Sequence, residues 1–263
     1  MKKPKGGTSA GTPATYVYCV VSSAKPPSMT KVPAGPPGTR PARLLEVRPN
    51  RYLVVSDAPL DLFGEAPLAE RLSDLDWVSR AAVAHDAVIG TFVTADAVLP
   101  MKVFTLFTSD QRALEQTRSD WKRIDGLLKD LAGRVEWGIR LMYDERKAPP
   151  AAAPASATSG RSYLLGKRQH HVTTVAHLRQ IRKRTTGVVH ALTALAGEVR
   201  QRPLATTPES GSRLLLDAAF LVPRTRETRF RAAVTLQARK LAQEGYAIHL
   251  SGPWPPYSFI EPS

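Results

Sequence analysis

The sequence predicts an α+β fold of two α/β domains, the second a ferredoxin-like βαββαβ unit with a long helix and an extended, proline- and aromatic-rich carboxy-terminal tail. Three observations carry this. Short β-branched and aromatic runs alternate with stretches whose apolar residues recur every three or four positions. From about residue 132 the order reads strand, helix, weak strand, strand, helix, strand, which is the split βαβ order. The stretches 1–13, about 24–42 and 147–160 are rich in Pro, Gly, Ser, Thr and Ala. Such segments bury too little apolar surface to offset chain entropy, so they read as a flexible tail, a long loop and a flexible insertion. The domains follow as 14–131 and 132–263, with the insertion lying inside the second and a tail over 251–263.

Each element has its own warrant. Thr15–Val21 is a β-branched and aromatic run that reads as a buried strand. Leu44–Val47 and Tyr52–Ser56 flank Arg48-Pro49-Asn50-Arg51, a hairpin turn. Pro67 can open a helix, and Leu68, Leu72, Leu75, Val78 and Ala82 then give it one apolar face to about Ile89. Val98–Met101 and Phe104–Phe107 are short extended segments, and Ser109-Asp110 caps a helix carrying Leu114, Trp121, Ile124, Leu128 and Leu131. Val135, Trp137, Ile139, Leu141 and Tyr143 alternate with Glu136, Gly138 and Arg140, the period of a strand. A helix from about Ser162 to Arg200 carries Val172, Val175, Leu178, Val189, Leu192, Ala196 and Val199, with Gly187 as a break or bend. Ala205-Thr206-Thr207 is a weak strand and Leu214–Val222 a central one ended by Pro223. A helix from Arg226 to Glu244, capped by Gly245, leads to a last strand, Tyr246–Leu250.

Composition narrows the function. Of the 263 residues, 43% are apolar and 23% charged, a globular balance. A lone cysteine excludes an internal disulfide framework and any multi-cysteine metal site, and Cys19 reads as a reduced core thiol of a cytosolic protein. No apolar run approaches the roughly 18 residues that cross a bilayer. Met1-Lys2-Lys3-Pro4-Lys5 is followed by no apolar h-region, so secretion is not expected. The net charge of +14 is uneven: residues 1–131 contribute +3 and residues 132–263 contribute +11.

Candidate chemistry is sparse. Gly7-Thr8-Ser9-Ala10-Gly11 matches a nucleophile elbow only in letters, because no strand precedes it and no helix follows. Ser28-Met29-Thr30-Lys31 falls in a proline-rich loop. His170, His171 and His177 cluster on the long helix, but no carboxylate or thiolate completes a tetrahedron, so they read as solvent-facing. Asp57, Asp74 and Asp76 read as surface carboxylates. No catalytic residue, cofactor or metal is expected. Arg179, Arg182, Lys183 and Arg184 form a basic run on the long helix, which reads as a solvated face or a surface for an acidic protein. Nucleic acid or an anionic membrane is the competing partner, but no aromatic other than histidine lies between 164 and 219 to stack on bases. Ser251-Gly252-Pro253-Trp254-Pro255-Pro256-Tyr257-Ser258-Phe259 cannot be helical. Its Trp254, Tyr257 and Phe259 either pack back on the second domain or offer a docking surface.

Taken in order, several segments resemble the gas vesicle protein GvpL/GvpF family. They are Tyr16–Val21, Val54–Asp57, Trp77 with Ala81, Ala82 and His85, Val98–Met101, Thr105–Phe107, Glu136–Gly138, Tyr163–Leu165 and the closing Ser251–Phe259. The match runs over about 16–260. It departs at Val103-Phe104, where the family usually has a glycine before T-L-F, and at Pro36-Pro37-Gly38, in a loop that often reads L-P-G. The resemblance implies an accessory protein of gas vesicle assembly, not an enzyme, cytoplasmic and at the vesicle. It implies binding to the small hydrophobic shell protein and other accessory proteins, help in nucleating or stabilising the vesicle, and retention as a minor component. On this reading Arg179, Arg182, Lys183, Arg184, Trp254, Tyr257 and Phe259 are the partner-binding residues.

Overall fold

The computed structural model describes residues 13–147, 160–204 and 212–260. It is an α+β protein with two sheets, and it divides into a unit of residues 1–135 with 254–263 and a unit of residues 136–253.

The first unit is built around strand β1 (Ala14–Ser22), whose nine residues are all buried. Neighbours on both sides follow from that. β1 pairs antiparallel with β3 (Arg51–Ala58) on one edge and with β4 (Ala97–Pro100) and β5 (Leu106–Phe107) on the other, and β2 (Arg43–Arg48) extends the sheet beyond β3. The β2–β3 turn places Asn50 at φ 64°, a conformation asparagine tolerates. Gly38 has φ 98°, and its turn closes with Thr39 N–H donating to the Pro36 carbonyl at 3.0 Å.

The helix expected from Pro67 to Ile89 is instead broken. Short helices α1 (Leu60–Phe63) and α2 (Glu65–Arg71) precede α3 (Leu75–Gly90). The Asp74 carboxylate accepts the Trp77 N–H at 3.0 Å and restarts the helix, resetting its phase. The buried face is therefore Trp77, Ala81, His85, Val88 and Ile89, while Leu72 and Leu75 are exposed. The next predicted helix also divides, into α4 (Asp110–Ser119), capped by Ser109, and α5 (Trp121–Leu131).

Burying β1 places two phenols in the core. The Tyr16 hydroxyl lies 2.9 Å from His85 Nδ1, and His85 Nε2 lies 3.1 Å from the Met101 carbonyl. A carbonyl only accepts, so Nε2 carries the proton and Nδ1 accepts from Tyr16. The Phe104 N–H donates to the same Tyr16 oxygen at 3.1 Å. Phe104 is held at φ 63°, in the left-handed region, at the position where the resemblance leads one to expect glycine. Its ring stacks on Trp77 with centroids 5.4 Å apart and planes 6° from parallel. Packing and a hydrogen bond thus offset the backbone strain that a glycine avoids. Burial alone pushes the Cys19 thiol far up, as expected of a core residue.

The second unit runs β6 (Arg134–Asp144, its first two residues grouping with the first unit), α6 (Gly160–Thr193), β7 (Glu198–Gln201), β8 (Ser212–Pro223), α7 (Glu227–Ala242) and β9 (Tyr246–Trp254). Its strands lie in the order β7-β8-β6-β9. Helix α6 continues through Gly187 without breaking and ends at Thr193, so Val199 belongs to a strand rather than to the helix. β7 pairs antiparallel with β8, Val199 opposite Phe220. The weak strand expected at Ala205–Thr207 lies outside the described residues, as does 148–159 of the insertion. Gly138 lets β9 approach β6 closely, since a Cβ there would lie 2.6 Å from Ser251 Oγ. Glu136, on the face expected to be polar, is buried and paired: Arg202 donates to its Oε1 at 2.8 Å and to Asp217 Oδ1 at 3.2 Å.

Burial holds the His85 imidazole below its ordinary value, against the opposing pulls of the Met101 carbonyl and Asp86. The folded chain then binds this proton less readily than the unfolded chain does. The stability that neutral His85 confers is fully present above the unfolded value of 6.5 and is lost as pH falls from there to the lower folded value. Urea titrations at pH 7.5 and 5.5 should show a loss on acidification, and His85→Gln should shrink that loss. An unchanged pH dependence in the variant would refute the assignment.

Candidate interaction surface

Helix α6 has an unusual sequence for its length. Its 34 residues include seven Lys or Arg, four of the chain's six histidines, and no Asp or Glu. The helix cannot neutralise itself through i,i+4 pairs, so its charge must be met from elsewhere or left to solvent. Arg184 is met. Its Nε and Nη2 donate to the two Glu244 carboxylate oxygens at 2.8 and 2.6 Å, tying α6 to the end of α7. That bidentate clasp makes Arg184 a brace rather than an available cation.

Arg179, Arg182 and Lys183 are exposed, and no ion pair holds them among the described residues. With Thr186, Gly187 and His190 they line an open hollow of about 510 Å³. A second hollow of about 350 Å³ lies between α6 and α7 and shares Lys183 and Gly187 with the first. Lys240 adds a cation there, while the single carboxylate, Glu244, is already taken by Arg184. The basic run is directly legible in the sequence, whereas Thr186, His190 and Lys240 are not, and Gly187 is legible only as a break or bend. The signal was available in the acid-free composition of 160–193 and in the spacing 183, 187, 190.

The carboxy-terminal aromatics take three different roles. Residues 254–263 group with the first unit. Ser251 to Trp254 is the end of β9, an edge strand, where a proline is tolerated. Phe259 is buried. Tyr257 packs on the first unit's core, and its hydroxyl donates to Asp86 Oδ1 on α3. Trp254 remains 46% exposed. The structure thus gathers Arg179, Arg182 and Lys183 on one surface of the second unit and turns Tyr257 and Phe259 into anchors of the first.

Other candidates resolve into structural roles or fall outside the description. Asp74 is the α3 cap. Asp57 accepts from Arg43, which also clasps Asp110 at 2.8 and 2.9 Å, and this holds the Asp110 carboxyl below the usual carboxylate range. Ser28 contacts Thr30 at 3.3 Å in an exposed turn. Ser9 and the side chains of His170, His171 and His177 lie outside the described residues. Among the described residues, no group of three or more His, Cys, Asp and Glu could hold a metal ion, and no helix is long and apolar enough to cross a membrane.

Residues 14–261 match the family described as gas vesicle synthesis protein GvpL/GvpF. The chain belongs to this family. It is 32% identical to gas vesicle protein L of Streptomyces sp. (strain CB03234), over 93% of this chain and 91% of that protein. It is 28% identical to gas vesicle protein F of the same strain, over 94% and 99%. The crystal structure of gas vesicle protein GvpF from Anabaena sp. PCC7120 superposes with a TM-score of 0.69 at 17% identity, over 96% and 98% of the two chains. That of GvpF from Microcystis aeruginosa gives 0.65 at 19% identity, over 95% and 100%. These two likenesses establish the shared two-sheet α+β fold. Membership of the GvpL/GvpF family places the role of this chain in gas vesicle assembly.

The division of labour in the carboxy-terminal segment has a measurable consequence. Phe259→Ala should destabilise the protein by about 3 kcal/mol, as for a buried ring, and Tyr257→Phe by about 1 kcal/mol for the lost hydrogen bond. Trp254→Ala should stay within about 0.5 kcal/mol of wild type, as for an exposed site. Denaturant unfolding followed by circular dichroism ranks the three, and a larger loss for Trp254 than for Phe259 would reverse these roles.

Proposed function

We propose that this chain is a cytoplasmic accessory protein of gas vesicle assembly that binds the small hydrophobic shell protein and other accessory proteins. In that role it helps nucleate or stabilise the growing vesicle and stays on it as a minor component. No catalytic role is assigned to it. The family match over nearly the whole chain supports the process. The observation on the molecule that carries the binding role is the surface left over after folding: Arg179, Arg182 and Lys183, exposed on an acid-free helix and held by no ion pair among the described residues. Charges that folding does not consume are available to steer a partner. Exposed Trp254 supplies an apolar contact of the kind that anchors interfaces. The second unit is read as ferredoxin-like: its βαββαβ order and the strand order β7-β8-β6-β9 support this. In this reading the two α/β domains meet near residue 135, and the terminal segment serves the first of them.

The test is direct. The purified chain, immobilised, should retain purified shell protein and at least one other accessory protein of the same vesicle system. Retention of none of them sinks the proposal. Trp254→Ala should weaken retention several-fold with an unchanged melting temperature, and deletion of residues 148–158 should leave it intact.

A further inference from the structure

Resting on that reading, we infer that the two hollows flanking Gly187 form one groove for an acidic, helical segment of a protein partner. Three features converge on it. First, the charge is one-sided: Arg179, Arg182 and Lys183 on α6 and Lys240 on α7 face the hollows, and Arg184 occupies the only carboxylate among their lining residues. Second, the charges follow a helix spacing. Arg179, Lys183 and His190 fall on one ridge at intervals of four and seven, which spans about 16 Å at 1.5 Å per residue. Carboxylates on a second helix repeat on the same scale.

Third, Gly187 leaves a notch in the ridge. It lies in a regular stretch of helix, where glycine weakens the helix relative to alanine. Nothing among the described residues requires it, because an added Cβ would meet none of their atoms within 4 Å and the backbone is not in the left-handed region. What the missing side chain does provide is a strip of bare backbone between Lys183 and His190, where another helix can approach closely.

The shape selects a protein over the other polyanions. A nucleic acid strand would want aromatic side chains among the cations, and the lining of both hollows has none except His190. A lipid surface would want a broad apolar face to bury beside the charge. Leu178 is the only large apolar side chain of the described part of α6 that is exposed. Neither partner needs a notch in the helix backbone.

The experiment measures binding of the full chain to each purified gas vesicle protein of the same system, and to a labelled helical peptide with Glu at positions i, i+4, i+7 and i+11. A single-stranded oligonucleotide and vesicles containing anionic lipid run in parallel at the same ionic strength. Wild type should bind the peptide and at least one acidic vesicle protein more tightly than the oligonucleotide or the vesicles. Arg182→Glu with Lys183→Glu should weaken both protein interactions at least about tenfold, as reversed interface charges do. Gly187→Leu should weaken them by a similar factor, although leucine favours the helix and the melting temperature should not fall. Unchanged peptide affinity in Gly187→Leu overturns the groove. Equal or tighter binding of oligonucleotide or vesicles overturns the choice of partner. Should the chain bind the vesicle proteins while both variants retain them all, the groove falls and the assembly role stands. Should wild type bind the peptide but no vesicle protein, the assembly role falls instead.

Discussion

The first unit is organised by the burial of two tyrosine hydroxyls on one strand. Tyr16 and Tyr18 point to the same face of β1 and are fully enclosed. An enclosed phenol without a partner costs about 1–3 kcal/mol, so the fold must supply partners from elsewhere in the chain. It does so from three directions. Ser56 on β3 lies 2.9 Å from the Tyr18 oxygen. His85 arrives from α3, is held in one tautomer by the Met101 carbonyl after β4, and accepts the Tyr16 hydroxyl hydrogen bond. Phe104, twisted into the left-handed region, returns its N–H to the Tyr16 oxygen. The position of α3, the path of 101–105 and the strain at Phe104 are therefore consequences of one requirement. The terminal segment joins the same arrangement one residue along α3, where Tyr257 bonds Asp86.

This explains what could be read from the residues and what could not. Strands with strong local signatures were legible: the unbroken apolar run of β1, the alternation of β6, and β8 up to Pro223. Their patterns follow from being buried on one or both faces, and that is a local property of sequence. Helix phase was less legible. Leu68, Leu72, Leu75 and Val78 form an apolar series in the sequence, but one capping carboxylate at Asp74 ends that series and begins another. The competing signal was a single polar residue against these four apolar ones. Val199 was misplaced for a related reason. Its neighbours Glu198, Arg200 and Gln201 have no strong strand preference, and only pairing with β8 makes the segment extended.

The charge of the second unit shows the same division between local and non-local information. A count of +11 over residues 132–263 says nothing about which cations are available. Arg202 is spent between buried Glu136 and Asp217, Arg140 also meets Asp217, and Arg184 is clasped by Glu244. These arginines stand 15 to 77 residues from their partners, so no sequence window reveals the pairing. By contrast, the availability of Arg179, Arg182 and Lys183 follows from a fact that is legible locally: α6 contains no acid. Adjacent members of one basic run, Lys183 and Arg184, thus have opposite fates, because a step of one residue turns a side chain about 100° around the helix.

The same reasoning separates the three aromatic residues near the carboxy terminus. Pro253 sits on an edge strand, and the following prolines are buried and prevent the strand from continuing. A short turn over Tyr257–Phe259 then packs the Tyr257 ring on the first unit's core, brings its hydroxyl to Asp86 and buries Phe259. Trp254, the last residue of β9, differs: nearly half of it faces solvent. Leaving a tryptophan so exposed forgoes burial of a large apolar surface, on the order of 25 cal/mol per Å². On the proposed reading, a protein partner covers that surface and recovers the burial.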